Sequence, residues 1–139
     1  MSVSPIRLAL LLQSAEHNRL HTAVSLVATA VAQGGEAHLL LTHAALHTFL
    51  EGRWDTQPCH FGDPTYDQLY ADAVDAERIP SLLDLLAQAR ARGNVRVYGC
   101  QTSIILHRGY PPEALEQLDA VIGHSTFMTL ARDMQWLVL

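Results

Sequence analysis

Two cysteines and eight histidines are the side chains of this sequence best suited to nucleophilic or proton-transfer chemistry near neutral pH. Cys100 carries the sharpest expectation. It follows the short strand-like stretch Val95 to Tyr98 and precedes Gln101-Thr102-Ser103, which reads as the first turn of a helix. A thiol at that junction sits among unpaired backbone N–H groups and the positive end of the helix dipole, which favour thiolate. Such a thiol attacks electrophiles or accepts sulfur. Gly99 leaves room for close backbone approach, and Thr102 or Ser103 can donate a hydrogen bond to the sulfur. Cys59 lies between Pro58 and His60 in a stretch without regular pattern, so Cys100 is expected to be the more reactive thiol. The opposite reading is a small buried residue with no role, since free cysteine is among the most buried types.

His43 and His124 also follow strand-like runs, and either imidazole beside Cys100 would stabilise a thiolate or relay a proton. His43 and His47 have the spacing of zinc ligands on one helical face, but no Glu, Asp or Cys at matching spacing completes a set, so no metal is expected. Other motifs exclude themselves. Cys100-Gln101-Thr102-Ser103 has the form of a dithiol redox motif without its second cysteine, and a C-x5-R phosphate loop fails because Leu106 stands where the arginine is needed. Neither a dinucleotide nor a P-loop glycine motif occurs, so no cofactor is expected.

The elements that would position these groups alternate between strand and helix. Ile6 to Leu12 is nearly continuous in apolar residues and too short for a stable helix, which predicts a strand buried on both faces. Leu20, Val24, Val27 and Val31 recur at helical spacing between Asn18 and Gln33, and Gly34-Gly35 ends the run. A strand is predicted over His38 to Leu41, followed by a helix capped by Thr42 and running to Leu50. Gly52 to Pro80 reads as a long loop with a single turn of helix, and its Trp54, Phe61, Tyr66 and Tyr70 as a local aromatic cluster or subunit contact. Ser81 to Arg92 predicts a helix and Val95 to Tyr98 the third strand. A short helix to His107 and one opened by Pro111-Pro112, with Leu115 and Leu118 inward, come next. Ala120 to Gly123 is the fourth strand, Ser125 caps a helix to Asp133, and Trp136 to Leu139 is the fifth strand.

This alternation implies right-handed crossovers and an α/β fold, a three-layer α/β/α sandwich with a mostly parallel five-stranded sheet, in one domain spanning residues 1–139. In such sheets functional groups gather at the carboxyl ends of the strands. The predicted edge comprises Gln13 and Ser14 after strand one, and Thr42 and His43 after strand two. Cys100, Gln101, Thr102 and Ser103 follow strand three, and His124, Ser125 and Thr126 follow strand four.

Composition narrows the partners. With 9 basic against 14 acidic residues, a net charge of -5 and no basic cluster, neither nucleic acid nor an anionic membrane surface is an expected partner. No apolar run approaches the roughly 20 residues of a membrane span, and Arg7 with Leu8 to Leu12 is too short for a signal peptide. Two cysteines make no disulfide framework, which fits a reducing, cytoplasmic setting. The apolar fraction of 49% leans toward buried subunit contacts.

Val95-Arg96-Val97-Tyr98-Gly99-Cys100-Gln101-Thr102-Ser103, then a short helix, Gly109, a Pro-Glu-initiated helix and Val121-Ile122-Gly123, together resemble the DsrE/DsrF family of small sulfur-relay proteins. The order of the earlier elements fits as well, so the resemblance covers most of the chain apart from Gly52 to Pro80. The Cys-Gln-x-Ser form is most similar to the peroxiredoxin-like DsrE branch, although Gly99 and His107-Arg108 depart from its commoner residues. The resemblance implies a parallel α/β/α fold, a homotrimer or homohexamer, and a cysteine at position 100 that carries sulfur as a persulfide between donor and acceptor proteins or small thiols. Two other functions stay open on the residues themselves. One is a non-enzymatic module that binds a small ligand or a protein at the same edge, and the other is a monothiol redox protein.

Overall fold

The computed structural model describes residues 4–139, and these form an α/β fold around a five-stranded parallel sheet with strand order β4-β3-β2-β1-β5. In chain order the strands are β1 (Arg7–Leu12), β2 (Glu36–Leu41), β3 (Asn94–Cys100), β4 (Ala120–Ile122) and β5 (Gln135–Val138). The helices are α1 (His17–Ala32), α2 (His43–Leu50), α3 (Pro64–Asp75), α4 (Leu82–Arg92), α5 (Gln101–Leu106), α6 (Pro112–Leu115) and α7 (His124–Leu130), with a single 3-10 turn at Trp54–Thr56. From β1 through β4 the chain steps across the sheet in one direction, so right-handed connections put α1, α2, α4 and α6 on one face. The last connection returns from β4 to the far edge at β5. The same handedness therefore places α7 on the opposite face and gives the sandwich its third layer.

The two faces are unequal. Leu8, Leu10 and Leu12 of β1, Leu39 and Leu41 of β2, and Val95 and Val97 of β3 point into the larger core, where α1, α2 and α4 cover them. Fully burying each such aliphatic side chain contributes about 1.5–3 kcal/mol, so this side dominates stability. The other face splits along the strands. Its carboxyl half is apolar, with Ala9, Leu40 and Cys100 under Phe127 and Ala131 of the α7 region. Its amino half is polar: Arg7 Nε meets Glu36 Oε1 at 2.6 Å, and His38 lies between Glu36 Oε2 at 3.1 Å and the Tyr98 hydroxyl at 3.0 Å. The Arg7 guanidinium, followed by His38, holds the Glu36 carboxyl below its ordinary value. That pairing explains why β2 starts two residues before the predicted His38, since Glu36 lies opposite Arg7 and Asn94 in the ladder.

Several predicted boundaries are corrected. The largest correction falls in the predicted long loop, which contains the 12-residue helix α3. Its apolar positions are too few to show helical periodicity, but its start is legible: Asp63 accepts hydrogen bonds from the N–H groups of Thr65 and Tyr66, and Pro64 occupies the first turn. Thr42 stands at the N-cap of α2 without a side-chain capping bond, and the Ser103 hydroxyl instead accepts from the His43 N–H at 2.9 Å. Ser125 is likewise inside α7, whose N-cap is Gly123. Gly35 also has a packing role beyond ending α1, because a Cβ there would run into the carbonyl oxygen of Ile6 as the chain enters β2.

No helix among the described residues is long and apolar enough to cross a membrane.

Candidate functional site

Because β3 is followed by helices on one face and β4 by a helix on the other, the direction of the connections reverses between these neighbouring strands. In open parallel sheets the carboxyl ends of two strands at such a reversal are the usual place for a ligand. The two ends are Cys100, paired with Ile122 in the ladder, and Gly123-His124. Gln101 and Thr102 on one side and His124, Ser125 and Thr126 on the other are exposed there.

Cys100 occupies the N-cap of α5, as its position before Gln101 predicts. Its side chain turns back toward the sheet, packs with Leu40 and Phe127, and is 1% exposed. Gly99 does not leave open space on the other face, because Leu118 and Leu46 fill it: a Cβ at residue 99 would lie 2.6 Å from Leu118 Cδ1. Neither Thr102 nor Ser103 bonds the sulfur. Ser103 is buried, and its hydroxyl ties the start of α5 to the start of α2 through the His43 N–H.

The remaining predicted residues spread along the edge instead of converging. His43 and His124 are exposed and neither is hydrogen-bonded to Cys100. His43 takes a left-handed backbone conformation with φ 49°, an uncommon state for a residue with a Cβ. Gln13 and Ser14 follow β1, two strands from β3, and their N–H groups donate to the Leu139 carbonyl at 3.1 and 3.3 Å. Ser14 also accepts from the Glu16 N–H, and Thr42 is buried with its N–H on the Leu12 carbonyl. His47, the partner of His43 in the predicted zinc spacing, uses both ring nitrogens: Nδ1 meets the Tyr110 hydroxyl at 2.6 Å and Nε2 meets Glu51 at 2.6 Å. Among the described residues no group of three or more His, Cys, Asp or Glu could hold a metal ion.

A second set of groups comes together where the sequence shows only a patternless stretch. The Asn18 N–H, in the first turn of α1, donates to Cys59 Sγ at 3.1 Å, so Cys59 also meets a helix N-terminus, contrary to its expected isolation in a loop. The His17 N–H donates to the adjacent Pro58 carbonyl at 3.2 Å. His17 itself is 2% exposed, and its Nδ1 lies 2.8 Å from the hydroxyl of Tyr70, which lines the same cavity as Cys59. Burial pushes the Cys59 thiol up, with Glu16 adding to it and the two N–H groups and Tyr70 opposing it. Burial also raises Tyr70, aided by Cys59 and Tyr66, and lowers His17, where Asp55 pulls up and His21 down. The three groups are thus protonated thiol, neutral phenol and neutral imidazole near pH 7. No local spacing announces them, since His17 and Tyr70 are 53 residues apart.

The aromatic residues of this region divide. Trp54 is fully buried, donates its indole N–H to the Ala45 carbonyl at 3.0 Å and packs on Phe49, whereas Phe61, Tyr66 and Tyr70 form a partly exposed group over α3.

The chain matches no known family model and no curated protein.

Proposed function

We propose that the protein is a sulfur carrier or sulfurtransferase that holds a persulfide on Cys100. The observation that supports this reading is the position of Cys100 at the reversal between β3 and β4, at the N-cap of α5. In the step, Cys100 thiolate attacks the outer sulfur of a donor persulfide, R–S–SH. The donor S–S bond breaks, R–S⁻ leaves and takes up the proton, and Cys100 holds the terminal sulfur as Cys–S–SH. An acceptor thiol then removes that sulfur and returns the cysteine. Because Phe127 and Ala131 close over the thiol, the donor engages Cys100 only when α7 lifts away from the sheet.

Self-association as a homotrimer or homohexamer, in a reducing cytoplasmic setting, accompanies this reading. Trp136, Val138 and Met128 remain exposed on the face that α7 only half covers, and a second copy would bury them. Light scattering across a dilution series tests it, and a monomer at micromolar concentration removes the oligomer.

The near-complete burial of Cys100 favours a second reading, in which this thiol is packing and the exposed Gln101, Thr102, His124, Ser125 and Thr126 bind a small ligand or a protein. Incubation with a persulfide donor followed by peptide mass mapping separates the two. Added sulfur on Cys100 that an acceptor thiol removes supports the carrier. An unmodified Cys100 under conditions that load a free thiol sinks it.

A further inference from the structure

The sheet ends at β4 on one side and at β5 on the other, and the two edges differ. Strand β5 is Gln135, Trp136, Leu137 and Val138, with neither a charged residue nor a proline, which commonly guard an edge. Its inner side is taken up by β1: the Leu139 N–H donates to the Leu11 carbonyl at 2.8 Å, and the Leu139 carbonyl accepts from the Gln13 N–H at 3.1 Å. Backbone groups of successive strand residues alternate in direction, so those of Leu137 and Gln135 also face β1. The N–H and C=O groups of Trp136 and Val138 therefore face away from the sheet, with no backbone partner among the described residues. The side chains of these two residues lie on the α7 face, where Trp136 packs on Phe127 and stays 41% exposed and Val138 54%. Helix α1 packs on β1, β2 and β3, which leaves the flank of β5 clear and Leu137 half-buried.

We propose that β5 pairs antiparallel with β5 of a second copy about a twofold axis at Leu137, joining the two five-stranded sheets edge to edge. The partial charges of this edge are complementary to themselves. About that axis Trp136 lies opposite Val138 of the second copy and each donates its N–H to the other's carbonyl, so every outward group on both copies finds a partner. The two side chains share a face, and an aromatic residue opposite a β-branched one is a favourable cross-strand pair. Leu137 meets its own copy on the other face, with about 4.5 Å between Cα atoms. Shifting the register by one residue sets outward groups against inward ones, so the alternation that frees the edge also fixes its register. A strand of another protein could satisfy the backbone, but a second β5 also matches Trp136 to Val138 twice by symmetry. Strand β4 has three residues, and the two on the α7 face are Ala120 and Ile122, so the other edge lacks the aromatic partner. This pairing rests on the self-association proposed above, not on its sulfur chemistry. A homohexamer built of such pairs contains the axis, and a cyclic homotrimer does not.

Sedimentation velocity of the full-length protein is expected to give a mass that is an even multiple of the chain. Full-length Leu137→Cys protein, mildly oxidised, is expected to form a disulfide between the two copies of position 137, located by peptide mass mapping, whereas Val121→Cys on β4 is not. Val138→Lys places a charge on an exposed side chain of the edge and leaves the bonds to β1 in place. It is expected to raise the dissociation constant of the pair about tenfold or more while the unfolding midpoint stays where it was. A mass of three chains overturns the twofold pair and leaves self-association standing, and a monomer at micromolar concentration overturns both. An even-numbered assembly that Val138→Lys leaves intact, with position 137 uncrosslinked, puts the contact elsewhere and overturns the pairing. Persulfide loading of Cys100 is read on its own thiol, so the carrier reading stands or falls separately.

Discussion

Cys100 and Cys59 each meet the start of a helix, yet one is enclosed and the other lines a groove. Cys100 is part of the chain that forms the cap, so its backbone joins strand to helix while its side chain follows the pleat of β3 into the apolar layer under α7. Cys59 comes to α1 from a separate segment, so its sulfur itself accepts an N–H of the first turn. A helix N-terminus therefore does not make a thiol available. What decides it is whether the sulfur or only the backbone occupies the cap, and whether a large side chain closes over it.

The widest test of that contrast is Phe127→Ala, which removes the cover over Cys100. A loss of about 3–5 kcal/mol in denaturant unfolding is expected, together with faster alkylation of Cys100 and little change at Cys59. In the unsubstituted protein, limiting reagent should label the partly exposed Cys59 before Cys100, the reverse of the order that helix position alone suggests. If Cys100 labels first, α7 does not close the site. Gly99→Ala probes the same region from the opposite face, where the new methyl meets Leu118. We expect about 1–3 kcal/mol of destabilisation from overpacking, read from the unfolding midpoint, with alkylation of Cys59 unaffected.

Asp63→Ala removes the cap of α3 and is expected to cost about 1 kcal/mol. Because α3 forms one wall of the groove, alkylation of Cys59 should quicken while that of Cys100 stays as it was. The smallest effect is one of pH. His17 has its folded value lowered by burial, so the unfolded chain binds the extra proton more readily. Stability should thus fall as pH drops from the ordinary histidine value near 6.5 toward the lower folded value. His17→Gln should flatten that part of the stability–pH curve. An unchanged slope assigns it to other groups.

Local chemistry made much of the fold legible before any coordinates. The run Leu8 to Leu12, the spacing of Leu20, Val24 and Val27, the glycines after α1 and the Pro111-Pro112 start of α6 are each determined by neighbours a few residues away. The parallel sheet then follows from the alternation of strands and helices, and the place of Cys100 at a strand end from the residues around it. Helix α3 marks the limit of this reasoning: its cap was visible in Asp63-Pro64, but a helix that packs few apolar residues leaves no periodicity to find. Tertiary structure alone decided which face the Cys100 thiol points to, that β3 and β4 flank the reversal of the crossovers, that His17 meets Tyr70, and that Cys59 meets the first turn of α1. Those outcomes depend on strand order and on pairings between residues tens of positions apart, and no local pattern of side chains encodes a contact of that kind.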